Sequence, residues 1–186
     1  MQVISTLGLI TKDLIVYTDG TSMHKRLLTV LFSIEFQAIA SHKLIHVLAK
    51  SSRFSLFIAT RLYLQRRISA CYISPTATIA VACRLPHPVR VVISRNALIG
   101  NKVRIYQHVT IGSTGRTKQN QTYPIICDDV VIYAGAVVLG SVTLGQGSVV
   151  GSGAVVLSDV PPYSVVVGSL ARIVKQQSFE QRCDSE

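Results

Sequence analysis

The residues of this chain that could do chemistry are mostly histidines and corner glycines. His87 stands between two prolines in Leu85-Pro86-His87-Pro88. Each proline restricts its own backbone and that of the residue before it, so the imidazole hangs from a segment with little freedom. A neutral imidazole held this way suits a general base, taking a proton from a hydroxyl as that hydroxyl attacks an electrophile. An exposed loop histidine without function is the plain alternative. His108, in Tyr106-Gln107-His108-Val109, is the second candidate, either a second catalytic histidine or a solvated side chain. His42 and His46 are four residues apart, the spacing with which a helix presents two zinc ligands. Lys43 stands where that pattern needs a glutamate and no third ligand follows, so packing or hydrogen bonding explains the pair and no metal site is expected. The segments Tyr133-Ala134-Gly135-Ala136 and Gly151-Ser152-Gly153-Ala154 read as tight corners. Glycine there permits unusual dihedrals and also leaves backbone groups open to a slender ligand running along the corner.

These residues must be held by something, and the spacing of aliphatics says what. From residue 73 onward an aliphatic residue recurs at every sixth position in three runs: Ile73, Ile79, Leu85; Ile93, Ile99, Ile105, Ile111; and Ile126, Ile132, Val138, Leu144, Val150, Val156. A small or β-branched residue commonly follows four later, as at Ala77, Cys83, Ala97, Val103, Ala136 and Ala154. Neither a helix nor an ordinary strand has this period. A hexapeptide repeat does, and it predicts a parallel β-helix whose sides are one hexad long. Two breaks in register stand out. Leu85 to Ile93 takes eight residues, placing a bulge at His87, and Ile111 to Ile126 takes fifteen, placing a long insertion over Ser113–Pro124. Loops on a rigid frame are where function concentrates.

Residues 1–70 lack the hexad and form a separate, helical region, with helical spacing over 22–33, 35–50 and 53–70 and Ser52 as a candidate N-cap. Phe36, Ile39, Leu44, Val47 and Leu48 make the apolar face of the second helix. This region would cover the open edge of the first coil. The β-helix domain is expected over 71–175, followed by a polar, disordered tail over 176–186.

Composition narrows the class. The chain has 186 residues and a formal net charge of +10. No acidic residue lies between Glu35 and Asp128, a span with thirteen Lys or Arg. Such a field attracts polyanions. No nucleic-acid motif accompanies it, so a cofactor carrying several phosphates, an anionic glycan or an anionic membrane surface fits better than nucleic acid. The longest apolar run, Leu27–Ala40, contains Glu35 and is too short to span a bilayer. The start lacks the basic residues of a signal peptide, and the four cysteines show no CxxC or metal-ligand spacing, which together point to the cytoplasm. Cys83 and Cys127 read as packing residues.

The motifs Phe36-Gln37-Ala38-Ile39-Ala40-Ser41-His42-Lys43-Leu44-Ile45-His46, Leu85-Pro86-His87-Pro88, Tyr106-Gln107-His108-Val109-Thr110-Ile111-Gly112 and Ala171-Arg172-Ile173-Val174 together resemble the hexapeptide-repeat acyltransferases, specifically their serine acetyltransferase branch. The resemblance covers roughly 19–174. It implies a mainly β fold, a left-handed parallel β-helix, assembled as a homotrimer or a dimer of trimers with acetyl-coenzyme A between subunits. It further implies that His87 is the general base and that Ala134 and Ser152, beside Gly135 and Gly153, line the coenzyme channel. By the same resemblance Ser113 lies at the channel mouth, Arg172 meets phosphate, and Asp19 contributes to acceptor binding.

Four positions depart from the family pattern. Pro86 and Tyr72 stand where aspartates are expected, and Thr122-Tyr123 replace an Arg-His pair that grips the amino-acid acceptor. Losing the partners of an ammonium and a carboxylate costs several kcal/mol. On this ground the expected reaction is O-acetylation of a neutral saccharide hydroxyl in polysaccharide biosynthesis, with Tyr123 still facing the acceptor. Serine O-acetylation for cysteine synthesis is the alternative, and a non-catalytic trimeric scaffold the third reading. With no acid nearby in sequence, the second nitrogen of His87 has three candidate partners: a backbone carbonyl of the bulge, which is favoured, a hydroxyl such as that of Tyr72, or the distant carboxylate of Asp19.

Overall fold

Each hexad places one aliphatic residue on the inner side of a short strand, and stacking these residues closes a three-sided coil. The computed structural model describes residues 2–18, 22–48, 56, 60, 63, 70–115 and 122–176. The first side of the coil carries β1 (Tyr72–Ile73), β3 (Val92–Ile93), β6 (Thr110–Gly112), β9 (Val137–Leu139) and β12 (Val155–Val156) as parallel neighbours. The second carries β2 (Thr78–Ile79), β4 (Leu98–Ile99), β7 (Ile125–Ile126) and β10 (Thr143–Leu144). The third carries β5 (Arg104–Ile105), β8 (Val131–Ile132), β11 (Val149–Val150) and β13 (Ser164–Val167), closed by β14 (Arg172–Gln176) returning antiparallel. The architecture is the left-handed parallel β-helix with an N-terminal helical region.

Register follows the hexads. Ile73, Ile93, Ile111, Val138 and Val156 pair in succession down the first side, and Ile79, Ile99, Ile126 and Leu144 down the second. All thirteen repeat aliphatics are buried, as are the small or β-branched residues four positions on, including Ser148, except Val89 and Gly115 at the two register breaks. Burying one such aliphatic stabilises by roughly 1.5–3 kcal/mol, so the identical column on each side sets the register. The eight-residue and fifteen-residue intervals keep Ile93 and Ile126 in their columns, so the extra residues leave as loops.

Three helices precede the coil: α1 (Gln2–Tyr17), α2 (Met23–Phe32) and α3 (Ile34–Leu48). Helix α1 lies outside the segments expected from spacing, and α2 and α3 match theirs within two residues. Of the expected third helix over 53–70, only Leu56, Thr60, Tyr63 and Ala70 are described, the first three helical; Ser52 lies outside the described residues.

The inner face of α3 is more polar than its pattern predicts. Phe36, Ile39 and Ile45 are buried, but so are His42 and Lys43. The reason is the first coil, whose backbone has no coil before it. His42 Nε2 bonds Ala77 O (3.1 Å), His46 Nδ1 bonds Pro75 O (2.8 Å), and Lys43 Nζ donates to Ala80 O (2.9 Å). From α1, the Ala82 N–H donates to Asp13 Oδ1 (2.9 Å) and the Tyr17 hydroxyl donates to Cys83 O (3.1 Å). The helices thus satisfy the main-chain groups that an open β edge would leave exposed. At the other end β14 carries the chain through Gln176, paired with Ser164; the remainder of the expected tail lies outside the described residues.

Candidate active site

One corner of the prism, between its third and first sides, gathers most of the candidate residues. Going down the coils it holds His87, then Tyr106-Gln107-His108, Tyr133-Ala134-Gly135 and Gly151-Ser152-Gly153. Main-chain bonds lock these turns to one another: His108 N–H to Val89 O (2.9 Å), Gly135 N–H to Gln107 O (3.0 Å) and Gly153 N–H to Ala134 O (2.9 Å). His87, His108, Ser152 and Gly153 are exposed along this line, with Ala134 and Gly135 half-buried. Arg172 opens β14 opposite Val167 and is exposed where the last coil reaches the same corner. Ser113 and Tyr123 lie elsewhere, at the neck of the insertion between the first and second sides. There the Ser113 hydroxyl donates to Thr122 O (2.8 Å) and accepts from Gly115 N–H (2.9 Å). Asp19 lies outside the described residues.

The third residue of each corner turn is left-handed: His108 has φ 60°, Gly135 71° and Gly153 67°. A side chain pays for that conformation and glycine does not. The glycine pair also opens the surface. A β-carbon on Gly153 would meet no atom within 4 Å, and one on Gly135 only the Gly153 backbone at 3.9 Å. The lower corner therefore has room for a narrow chain lying against exposed backbone, as a pantetheine arm would.

The bulge that carries His87 is pinned by a residue the sequence argument passed over. Cys71, buried beneath it, donates its thiol to Pro88 O (2.9 Å) and accepts from Val91 N–H (3.4 Å). The neighbouring carbonyls are also engaged, His87 O by Val89 N–H (2.7 Å) and Val89 O by His108 N–H (2.9 Å). This corrects the expected orientation of His87. No described residue hydrogen-bonds its imidazole, and three carbonyls of the bulge, those of His87, Pro88 and Val89, are committed to main-chain N–H groups and to Cys71. The ring instead lies against Tyr106, with centroids 6.5 Å apart and planes at 56°. Tyr106 in turn stacks on Tyr133 at 5.1 Å. Both tyrosines hold the first position of their corner turns, a repeat that hexad alignment could have revealed. Gln107 between them has its side-chain carbonyl oxygen buried without a partner among the described residues.

The remaining reactive groups serve packing. Burial pushes the Cys83 thiol up to about 12 and holds the His42 imidazole down at about 4, so neither carries charge at neutral pH. His42 and His46 point at first-coil carbonyls, away from the His87 corner.

Comparisons with known proteins give the family. Residues 123–158 match the family described as bacterial transferase hexapeptide (six repeats). Serine acetyltransferase of Bacillus subtilis is 42% identical over 149 residues, 79% of this chain and 67% of that protein. The Buchnera aphidicola (Schizaphis graminum) enzyme is 36% identical over 177 residues, 93% of this chain and 66% of that protein. Among solved structures, soybean serine acetyltransferase complexed with serine superposes with a TM-score of 0.78 at 34% identity, covering 92% of this chain and 70% of that one. The Neisseria gonorrhoeae serine acetyltransferase reaches 0.82 at 28% identity, covering 98% and 70%. The chain spans about two thirds of the length of the relatives it matches.

These matches overturn the saccharide acceptor and the likeness to polysaccharide-modifying enzymes expected from Pro86, Tyr72 and Tyr123. Uncharged side chains at these positions speak only for those positions. An ammonium and a carboxylate can be paired from elsewhere around a site, so the local loss of charge does not specify a neutral acceptor. Fold, corner motifs and sequence identity over most of the chain agree: the protein belongs to the serine acetyltransferase family of hexapeptide-repeat transferases.

Proposed function

We propose that this chain transfers the acetyl group of acetyl-coenzyme A to the hydroxyl of L-serine, with His87 as the base. The observation that supports it best is the corner itself. His87 heads the same line on which Ala134, Gly135, Ser152 and Gly153 leave a backbone-lined trough. The coenzyme arm lies along that trough, its thioester toward His87 and its phosphates toward Arg172. The neutral imidazole takes the hydroxyl proton as the oxygen attacks the thioester carbonyl carbon. Collapse of the tetrahedral adduct breaks the C–S bond, and the imidazolium returns its proton to the departing thiolate. The products are the O-acetyl ester and coenzyme A. Exposed corner N–H groups stabilise the oxyanion. His108, one coil below His87, lines the same cleft.

The serine acceptor comes from the relatives. Asp19 and Tyr123 are our acceptor-binding residues, and the insertion also supplies Arg116 and Lys118 as cations for a carboxylate. The working assembly is a cytoplasmic homotrimer, the neighbouring subunit closing the cleft, with a solution mass near three times 20.2 kDa. The deciding experiment is acetyl transfer to L-serine. His87→Ala should lower it about a hundredfold or more while coenzyme A still raises the melting temperature, and Ser152→Arg should abolish that rise. Wild-type protein that neither acetylates L-serine nor responds to millimolar coenzyme A overturns the reading.

A further inference from the structure

A general base needs its ring held in one rotamer, since an imidazole that swings freely spends part of its time unable to reach the substrate proton. A carboxylate or carbonyl at the second ring nitrogen is the usual device. Here no described residue hydrogen-bonds the His87 ring, and the His87, Pro88 and Val89 carbonyls of its bulge are already engaged. What touches the ring is aromatic: Tyr106, centroid 6.5 Å away and tilted by 56°. That geometry falls within the range in which aromatic pairs attract beyond simple burial. Tyr106 is itself braced, stacked on Tyr133 at 5.1 Å and 28°. Its backbone is fixed by the coil, its N–H bonded to Ile132 O at 3.0 Å. Behind His87 there is thus a two-ring column rooted in the two following coils.

We infer that Tyr106 is the positioning residue of His87: its ring, backed by Tyr133, sets the imidazole rotamer in place of a hydrogen-bonding orienter. This rests on His87 being the base of the proposed acetyl transfer. The ring face matters here and the phenol does not, which separates the idea from a proton relay through the tyrosine hydroxyl. Tyr106 therefore affects turnover through His87 while leaving the trough at Gly135 and Gly153 untouched.

The test compares Tyr106→Phe, Tyr106→Leu and Tyr133→Ala with wild type for kcat, for KM of acetyl-coenzyme A and for melting temperature. Tyr106→Phe keeps the ring and should retain most of the turnover. Tyr106→Leu should lower kcat about fivefold to tenfold, the equivalent of one aromatic contact, with KM for acetyl-coenzyme A within about twofold of wild type. Tyr133→Ala, which removes only the brace, should fall between them. In a His87→Ala background Tyr106→Leu should have no further effect on kcat. Loss of activity in Tyr106→Phe would overturn the inference in favour of the hydroxyl. Wild-type kcat in folded Tyr106→Leu would overturn it outright, as would a kcat loss that persists additively without His87. A wild-type enzyme inactive on serine would instead defeat the functional reading, a result visible before any variant is made.

Discussion

Lys43 Nζ lies 2.6 Å from Asp13 Oδ2, with both side chains buried in the joint between the helices and the first coil. Each partner also holds the coil, Lys43 through Ala80 O and Asp13 through Ala82 N–H. Breaking a buried pair by removing one charge costs about 3–5 kcal/mol, so Lys43→Met or Asp13→Leu should each destabilise by that order in urea unfolding. The double variant should recover only part of the loss, because Ala80 O and Ala82 N–H are then both without partners, at about 1–3 kcal/mol each. A double variant as stable as wild type would show the bonds to the coil to be unimportant.

His42 makes stability depend on pH. Desolvation is the main cause of its depressed pKa, opposed by the bond to Ala77 O and assisted by His46 and Lys43, and takes it from 6.5 to about 4. The unfolded chain binds this proton below about pH 6.5, the folded chain only below about 4. The contribution of the neutral ring is therefore complete above pH 6.5 and is lost as pH falls toward 4, on the order of 3 kcal/mol in total. Urea midpoints at pH 7 and 4.5 should differ accordingly, and the difference should shrink in His42→Gln. An undiminished difference in that variant would assign the acid sensitivity elsewhere.

Glycines at two corners should respond differently to alanine. A β-carbon on Gly100 would collide with the Asp128 carboxylate and sit 2.7 Å from Cys127 C and 2.8 Å from Asp128 N. That backbone cannot yield without opening the coil, so Gly100→Ala should cost about 1–3 kcal/mol. Gly153→Ala meets no atom but must adopt φ 67°, costing on the order of 1 kcal/mol. Its methyl projects into the trough, so it should weaken coenzyme A binding, measured by calorimetry, more than Gly100→Ala does.

His108 keeps a left-handed backbone where the next two coils use glycine. His108→Gly should raise unfolding stability by up to about 1 kcal/mol, partly offset by the greater freedom of glycine in the unfolded chain. If the imidazole lines the proposed cleft, serine acetylation should fall several-fold in the same variant. A stabilised variant with full activity would remove His108 from the site.

Much of the fold was legible because a six-residue period with a fixed inward position leaves one solution, a three-sided coil. The same counting placed His87 in a bulge and Ser113–Pro124 in a loop, since any residues beyond a hexad must leave the column. Helices α2 and α3 were visible from spacing. Helix α1 was not, and its Asp13 and Tyr17 reach a coil nearly seventy residues away. Chain order likewise could not show that His87, Tyr106 and Tyr133 form one column, because each is a full coil from the next and only the prism brings them into line. Nor did local residues reveal the orienter of His87. The carbonyls of His87, Pro88 and Val89 that looked available are taken by Cys71 and by main-chain N–H groups, a competition that exists only once the coils have closed. The sequence by itself determined the repeat, the loops and the corner motifs, since each depends on spacing along the chain. The tertiary structure alone decided which of those residues touch, because side chains and backbone groups from separate coils share partners only in space.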